Sequence, residues 1–211
     1  MTLLDSNCKL SVEPNELVRL ALLGSQDAAN AIVDHFRPRL VFVIAKRLRG
    51  TTIDPEDVVQ ESLAKAFQQI HTFNPKYQFS TWLFTIAFHT ASDAVRKHIR
   101  RPSSQYHDLD SVAAKRIAPE SDDNSHTIWN VAQSALVQSQ FEVLWLRFGE
   151  QLSIADVAKI LNKTQVGVRV LLHRARSKLQ FALEKEGAMA PSSRADTPEL
   201  KDGTPIEQWG T

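Results

Sequence analysis

The sequence predicts an all-α fold, with two small helical domains joined by a flexible linker. Three observations carry that expectation. Apolar residues recur three and four positions apart through most of the chain. Alternating apolar–polar runs are missing, and glycine and proline are sparse inside the periodic segments. From Pro102 to about Ser125 the periodicity lapses into a stretch holding Pro, Ser, Asp and Asn, the composition of a linker.

Taken in order, residues 1–13 form a flexible N-terminus and the first domain runs over 14–101. Leu17, Leu20 and Ala21, then Ala31, Ile32, Phe36, Leu40, Val43 and Ile44, lie at helical spacing, and Gly24-Ser25 marks a turn between two helices. Asp54 is a good N-cap and Pro55 suits the first helical position. Glu56 and Asp57 favour the positive end of the helix dipole. Val59, Leu63, Ala66, Phe67 and Ile70 make a buried stripe that Asn74-Pro75 ends. Ser80 is expected to cap the next helix, whose core side is Leu83, Ile86, Ala87, Ala91, Ala94 and Val95. After the 102–125 linker, a second domain over 126–186 is expected to hold helices at 127–137, 139–149, 154–161 and 165–184. Residues 187–211 have the composition of a disordered tail. Within it, Trp209 could serve as an anchor, although disorder is the simpler expectation.

Composition narrows the function classes. The chain has 211 residues, 43% of them hydrophobic, and a formal net charge of +1. Only the local placement of charge can therefore argue for nucleic acid. A single cysteine, Cys8, excludes an internal disulfide framework and a cysteine-rich zinc site. No apolar run approaches the roughly 18 residues of a membrane span, and the N-terminus lacks the pattern of a signal peptide. A cytoplasmic setting without membrane insertion follows as the expectation. Nucleophile–base pairs, phosphate-cradling glycine loops and metal-ligand spacings are missing, so neither enzymatic activity nor a cofactor or metal is expected.

Two motifs carry chemistry. The first, Asp54 to Arg101, opens in acids and amides and closes in Arg96, Lys97, His98, Arg100 and Arg101, with an aromatic loop between. An acidic face and a basic, aromatic face in one unit suggest a clamp between a protein partner and nucleic acid. The second, LSIADVAKILNKTQVGVRVLLHRARSKL, has the form of a helix-turn-helix. Ser153 caps its first helix with Asp156 three residues on, as in a capping box. Asn162-Lys163 turns, and Thr164 caps the second helix. Val168, Leu171, Leu172, Ala175 and Leu179 face the scaffold. Gln165, Arg169, His173 and Arg176, with Arg174 and Lys178 beside them, present donors suited to base edges and phosphates in a major groove.

Together these motifs resemble an extracytoplasmic-function (ECF) sigma factor of the sigma-70 family. The resemblance spans about Glu16 to Leu183. It rests on PRLVFVIAKRL, on EDVVQES, F-N-P, STWLFTIA and D-x-V-R-K in that order, and on QFEVLWLRFGEQLSIADVAKIL with VRVLLHRARSKL. It implies core RNA polymerase and promoter DNA, both duplex and single-stranded, as partners, with an anti-sigma factor as a further candidate. By the same resemblance Asp57, Gln60 and Glu61 fall on the polymerase-docking helix. Lys65, Gln69 and Phe73, facing Phe84, Thr85 and His89, match the pocket that captures an unstacked minus-ten base. Lys76 and Tyr77 belong to the connecting loop. Phe73 and Phe84 fit a packed core equally well, and Trp82 is assigned to the core. Arg96, Lys97, Arg100 and Arg101 would hold phosphates. Thr164, Gln165, Arg169, Val170, His173 and Arg174 fall on minus-thirty-five positions, with Arg176 and Lys178 on the backbone. The chain departs from the family's Gly-Thr-Val-Lys-Ser-Arg run at Val170 and Leu171, which leaves the promoter sequence open.

Two rival readings remain. A helix-turn-helix regulator acting without polymerase leaves the EDVVQES helix and aromatic loop unexplained. A sigma-mimicking interaction module has no need of Arg169, Arg174 and Arg176.

Overall fold

The structure is a computed structural model that describes residues 13–100 and 123–187. Residues 1–12 with Cys8, Arg101 and most of the expected linker, and the tail beyond Gly187 with Trp209 lie outside the described residues. Every regular element among the described residues is a helix.

Helix α1 (Pro14–Leu22) turns at Gly24 into α2 (Gln26–Arg47). Gly24 has a φ of 89°, where a side chain would be strained. Ser25 caps α2 by accepting from the Ala28 N–H. Asp54 caps α3 (Pro55–Gln69) by accepting from the Glu56 N–H at 2.9 Å, as its sequence position suggests.

The start of α4 (Phe79–Arg100) differs from expectation. The helix begins at Phe79, so Ser80 lies in its first turn rather than capping it. The free Phe79 N–H donates instead to Asn15 Oδ1 at 3.0 Å, an acceptor from α1. The same amide donates through Nδ2 to the carbonyls of Tyr77 at 3.0 Å and Pro75 at 3.3 Å. One side chain from 60 residues away thus pins the loop and satisfies the helix end that a local cap would otherwise serve.

In the second half, α5 (Asp123–Ala135) begins four residues ahead of the expected helix and ends two before it. Helix α6 (Gln138–Leu144) runs into a π-helical turn over Trp145–Gly149, closed by the Glu150 N–H donating to the Trp145 carbonyl at 3.0 Å. Ser153 caps α7 (Ile154–Ile160) through the Asp156 N–H. Asn162, at φ 51°, turns the chain into α8 (Gln165–Gly187), where Thr164 Oγ1 accepts from the Gly167 N–H at 3.1 Å.

The two halves share one core. From Leu40 to Ile44 five successive residues of α2 are buried, so this helix is enclosed on all sides rather than along one stripe. One side meets α1, α3 and α4; another meets α6. Phe42 of α2 lies against Trp145 (centroids 4.7 Å apart) and Phe141 (5.6 Å), and Trp129 of α5 closes on Trp145 from beyond. Each such ring contributes about 1.5–3 kcal/mol by leaving water.

Charge crosses the same interface. Arg39 grips the fully buried Glu150 with two nitrogens, Nη2 at 2.7 Å and Nε at 3.1 Å. Arg47 holds Glu142 at 2.7 Å, donates to Ser92 Oγ at 2.9 Å, and lies over the Phe88 ring. Lys46, 6% exposed, donates to the Gln133 carbonyl at 2.6 Å, in the last turn of α5 where carbonyls favour a cation.

Two predictions follow from this packing. A Cβ on Gly149 would lie 3.0 Å from the Trp145 ring. Gly149→Ala should therefore lower unfolding free energy by about 1–3 kcal/mol in urea titration, the usual cost of overpacking. The second concerns pH. Burial pushes the Glu150 carboxyl up to about 7, against the pull of Arg39. Burial, then the Arg39 charge, pushes His35 down to about 4. Acidification from about 7 to the ordinary carboxyl value of 4.5 favours the folded state through Glu150, which takes up its proton early there. Between the ordinary histidine value of 6.5 and about 4 it disfavours the folded state through His35, which takes up its proton early only when unfolded. The windows nearly coincide, so the two effects offset in the native chain. Glu150→Gln should then lose more stability than the native chain between pH 7.5 and pH 5, as read from urea midpoints; an equal loss contradicts the pairing.

Candidate polymerase and promoter interface

The acidic row begins on the cap. Because Asp54 and Pro55 start α3 where they do, Val58, Val59 and Leu63 turn inward. Asp57, Gln60 and Glu61 are left exposed on the opposite side. Glu61 pairs with Lys65 at 2.6 Å, one helical turn on. Glu56 is held sideways by Arg37 of α2 at 3.0 Å. The exposed remainder is a short acidic and amide surface suited to a polar or basic partner.

The residues expected around a captured base divide into two groups. Gln69, Lys76, Tyr77 and His89 are exposed. Lys65 is half-buried and approaches Thr90 Oγ1 at 3.4 Å. The half-buried Thr85 donates its hydroxyl back to the Thr81 carbonyl at 2.7 Å. Phe73 and Phe84 behave differently: Phe73 is 8% exposed and Phe84 has no exposed surface. Of the two readings open for these rings, their placement is that of the packed core. Phe73 sits edge-on to Phe79 at 5.4 Å and against Trp82 at 5.7 Å, and Phe79 also meets Phe36 of α2. Tyr77 is therefore the exposed ring of the connecting loop, its carbonyl held by Asn15 Nδ2.

At the end of α4, Arg96, Lys97, His98 and Arg100 are all exposed, with Arg96 paired to Asp93 at 3.0 Å. A run of cations at a helix C-terminus is favoured by the dipole, and it remains open to phosphate.

The helix-turn-helix positions its donors through α8. Val168, Leu172 and Ala175 are buried against α6 and α7. Gln165, Arg169, His173, Arg174, Arg176 and Lys178 are exposed, as is Val170 at 44%. Leu171 is partly buried against the core. Arg169, His173 and Arg176 follow the three- and four-residue spacing of one helix face. Arg176 also reaches the exposed ring of Phe148 at 5.9 Å.

Several residues that shape this surface escape a local reading. Asn15 fixes the loop from another helix. Lys159 of α7 lies 5.7 Å from the Tyr77 ring centroid, so the two candidate DNA-reading parts touch. Glu142 and Glu150 sit inside the apolar run FEVLWLRFGEQL, and that unusual placement was the available signal. Among the described residues no group of His, Cys, Asp and Glu is arranged to hold a metal ion. No described helix is long and apolar enough to cross a membrane.

Comparison with known proteins agrees with this architecture. Residues 32–101 match the family described as Sigma-70 region 2, and residues 134–179 match Sigma-70, region 4. The chain is 28% identical over 174 residues to the ECF RNA polymerase sigma factor SigW of Bacillus subtilis (strain 168), covering 76% of this chain and 91% of that protein. It is 30% identical over 144 residues to the ECF RNA polymerase sigma factor EcfG of Rhodopseudomonas palustris (strain TIE-1), covering 67% of this chain and 77% of that one. Two solved structures share the fold. CnrH in complex with the cytosolic domain of CnrY aligns with a TM-score of 0.52 at 22% identity, over 82% of this chain and 98% of that one. The sigma factor RpoE in complex with the anti-sigma factor NepR from Bartonella quintana aligns at 0.50 and 23%, over 72% and 95%.

Asn15→Ala removes three loop hydrogen bonds and should cost about 1.5–4.5 kcal/mol at roughly 0.5–1.5 kcal/mol for each net bond. Hydrogen exchange should quicken at Tyr77 and Phe79, with α8 unchanged.

Proposed function

Because the chain belongs to the sigma-70 family, in its ECF group, we propose that it binds core RNA polymerase and directs it to promoters. It would do so by reading a minus-ten element with its first half and a minus-thirty-five element with its second. The observation that carries this reading is one of separation. The acidic row of α3 and the cationic row of α8 are both exposed and on different helices, while Val58, Val59 and Leu63 of α3 and Val168, Leu172 and Ala175 of α8 are buried.

Each surface has a stated task. Asp57, Gln60 and Glu61 dock on a basic, polar face of polymerase; such pairs set orientation and association rate more than affinity. Tyr77, Lys76, Gln69, Lys65, Thr85 and His89 meet the unstacked strand. Stacking and cation contacts available only to opened DNA then favour melting. Arg96, Lys97, Arg100 and Arg101 hold phosphates. On duplex DNA Arg169 and Arg174 are the strongest candidates for guanine edges, being exposed and able to pair in bidentate fashion. Thr164, Gln165, Val170 and His173 lie at the same end of α8; Arg176 and Lys178 hold the backbone. Covalent chemistry belongs to the bound polymerase, and the cytoplasm is where that partner would be met. An anti-sigma factor is a further partner of this reading, since family members of this kind occur in complex with one.

Arg169→Ala and Arg174→Ala should each weaken use of a promoter about 10-fold or more, given about 1–3 kcal/mol per lost bidentate base contact, while pull-down of core polymerase stays normal. Asp57→Ala with Gln60→Ala should do the reverse, lowering core affinity with promoter preference retained. Equal loss of both activities in either variant contradicts the division of labour.

A further inference from the structure

Helix α8 carries a second apolar row on the side away from its packing. Val166, Val170 and Phe181 are 66%, 44% and 69% exposed. At about 3.6 residues per turn they fall within about 60° of one another, opposite the buried Val168, Leu172 and Ala175. Duplex DNA accounts for one end of this row only. A recognition helix meets base edges with its N-terminal residues, whereas Phe181 lies about 17 Å beyond Val170 at about 1.5 Å per residue.

The setting of the row selects its partner. Arg169, Arg174, Arg176 and Lys178 surround it, all exposed, and no acid occurs from Gln165 to Leu183. A second copy of α8 laid against this face would bring like charges together. The row therefore calls for apolar anchors set among acids. Such a segment follows directly on α8. Residues 196–211 hold Asp196, Glu199, Asp202 and Glu207 against Lys201 alone, and among them Leu200, Ile206 and Trp209. Leu200 and Ile206 are about 20 Å apart in extended chain at about 3.3–3.6 Å per residue. That matches the distance of about 17–22 Å along α8 from Phe181 to Val170 and Val166. Reach is ample: Trp209 can extend about 70 Å from Gly187, and Val166 lies about 32 Å back along the helix.

We propose that residues 196–211 fold back along α8, with Leu200 toward Phe181 and with Ile206 and Trp209 on Val170 and Val166, so that the chain carries its own competitor for duplex DNA. The competitor role rests on the function proposed above; the docking itself does not. Apolar contact seats the segment, and its acids offset cations that would otherwise hold phosphates. A tethered segment needs only modest contact, because attachment to α8 gives it an effective concentration of about millimolar order. While it is seated, affinity for duplex falls by the fraction of molecules in which α8 is free.

The test uses the full chain in a Cys8→Ser background, with fluorotryptophan incorporated and a nitroxide at Gln180→Cys, an exposed site beside the row. The fluorine line of Trp209, assigned by its loss in Trp209→Phe, should be broadened in the free chain. The broadening should persist when the sample is diluted with chain that carries neither label. Phe181→Ser should sharpen the line, as should an excess of mixed-sequence duplex DNA. Ile206→Ala with Trp209→Ala keeps every charge and should bind that duplex about 3–10-fold more tightly at low salt. Deletion of residues 196–211 should gain at least as much. A sharp Trp209 line in the free chain overturns the docking. Broadening that is lost on dilution assigns the face to a second copy and overturns it too. A gain from the deletion with none from the double alanine variant leaves only charge repulsion, which overturns the apolar seat. Unchanged affinity in both variants overturns the competitor. Were neither the native nor the shortened chain to bind duplex, the functional reading would fall, while the Trp209 line would still judge the docking.

Discussion

The enclosure of α2 is the constraint from which the rest of the molecule follows. Its segment Leu40–Ile44 has no polar side to offer water, so something must cover each direction it faces. Helices α1, α3 and α4 cover part of it, and α6 covers the remainder. That demand places Phe141 and Trp145 against Phe42 and brings α7 and α8 to their positions. The exposed rows of α3 and α8 are what is left once this burial is satisfied.

Burial on that scale has a cost wherever polar groups are carried in with it, and this interface carries five charged side chains. Glu142 and Glu150 would be expensive to bury alone. Each is met by an arginine with a second anchor: Arg47 also reaches Ser92 and the Phe88 face, and Arg39 also donates to the Gly149 carbonyl. Removing one partner of a buried ion pair costs far more than the pair itself contributes, because a buried charge is left uncompensated. Here the two pairs tie α2 to the second half. His35, beside Arg39, makes the same cluster carry opposing proton responses.

Where the physics is local, the sequence was readable. Asp54, Ser153 and Thr164 cap the helices they precede, because capping needs only a side-chain oxygen within three residues. The division of α8 into a buried apolar stripe and an exposed cationic face was readable for the same reason: the two alternate with helical period. What could not be read locally depends on residues far apart. Ser80 looked like a cap, but Asn15 took that task from another helix. Phe73 and Phe84 could stack on a base or fill a core. Only the packing of helices far apart in the chain put both in the core, with Phe73 against Phe79 and Trp82. The arginine–glutamate pairs join residues about a hundred positions apart, and each residue alone resembles an ordinary solvated charge. One signal did reach across that distance. A helix apolar all round, like LVFVI, must have a second partner, and carboxylates inside FEVLWLRFGEQL must have cations waiting.

Transcript mapping from a promoter library, using the purified full-length chain and core RNA polymerase, tests the central claim most directly. The account predicts discrete start sites that depend on adding the chain, each preceded by two common upstream sequence blocks. Transcripts that are unchanged by the chain, or that start at random, would contradict it.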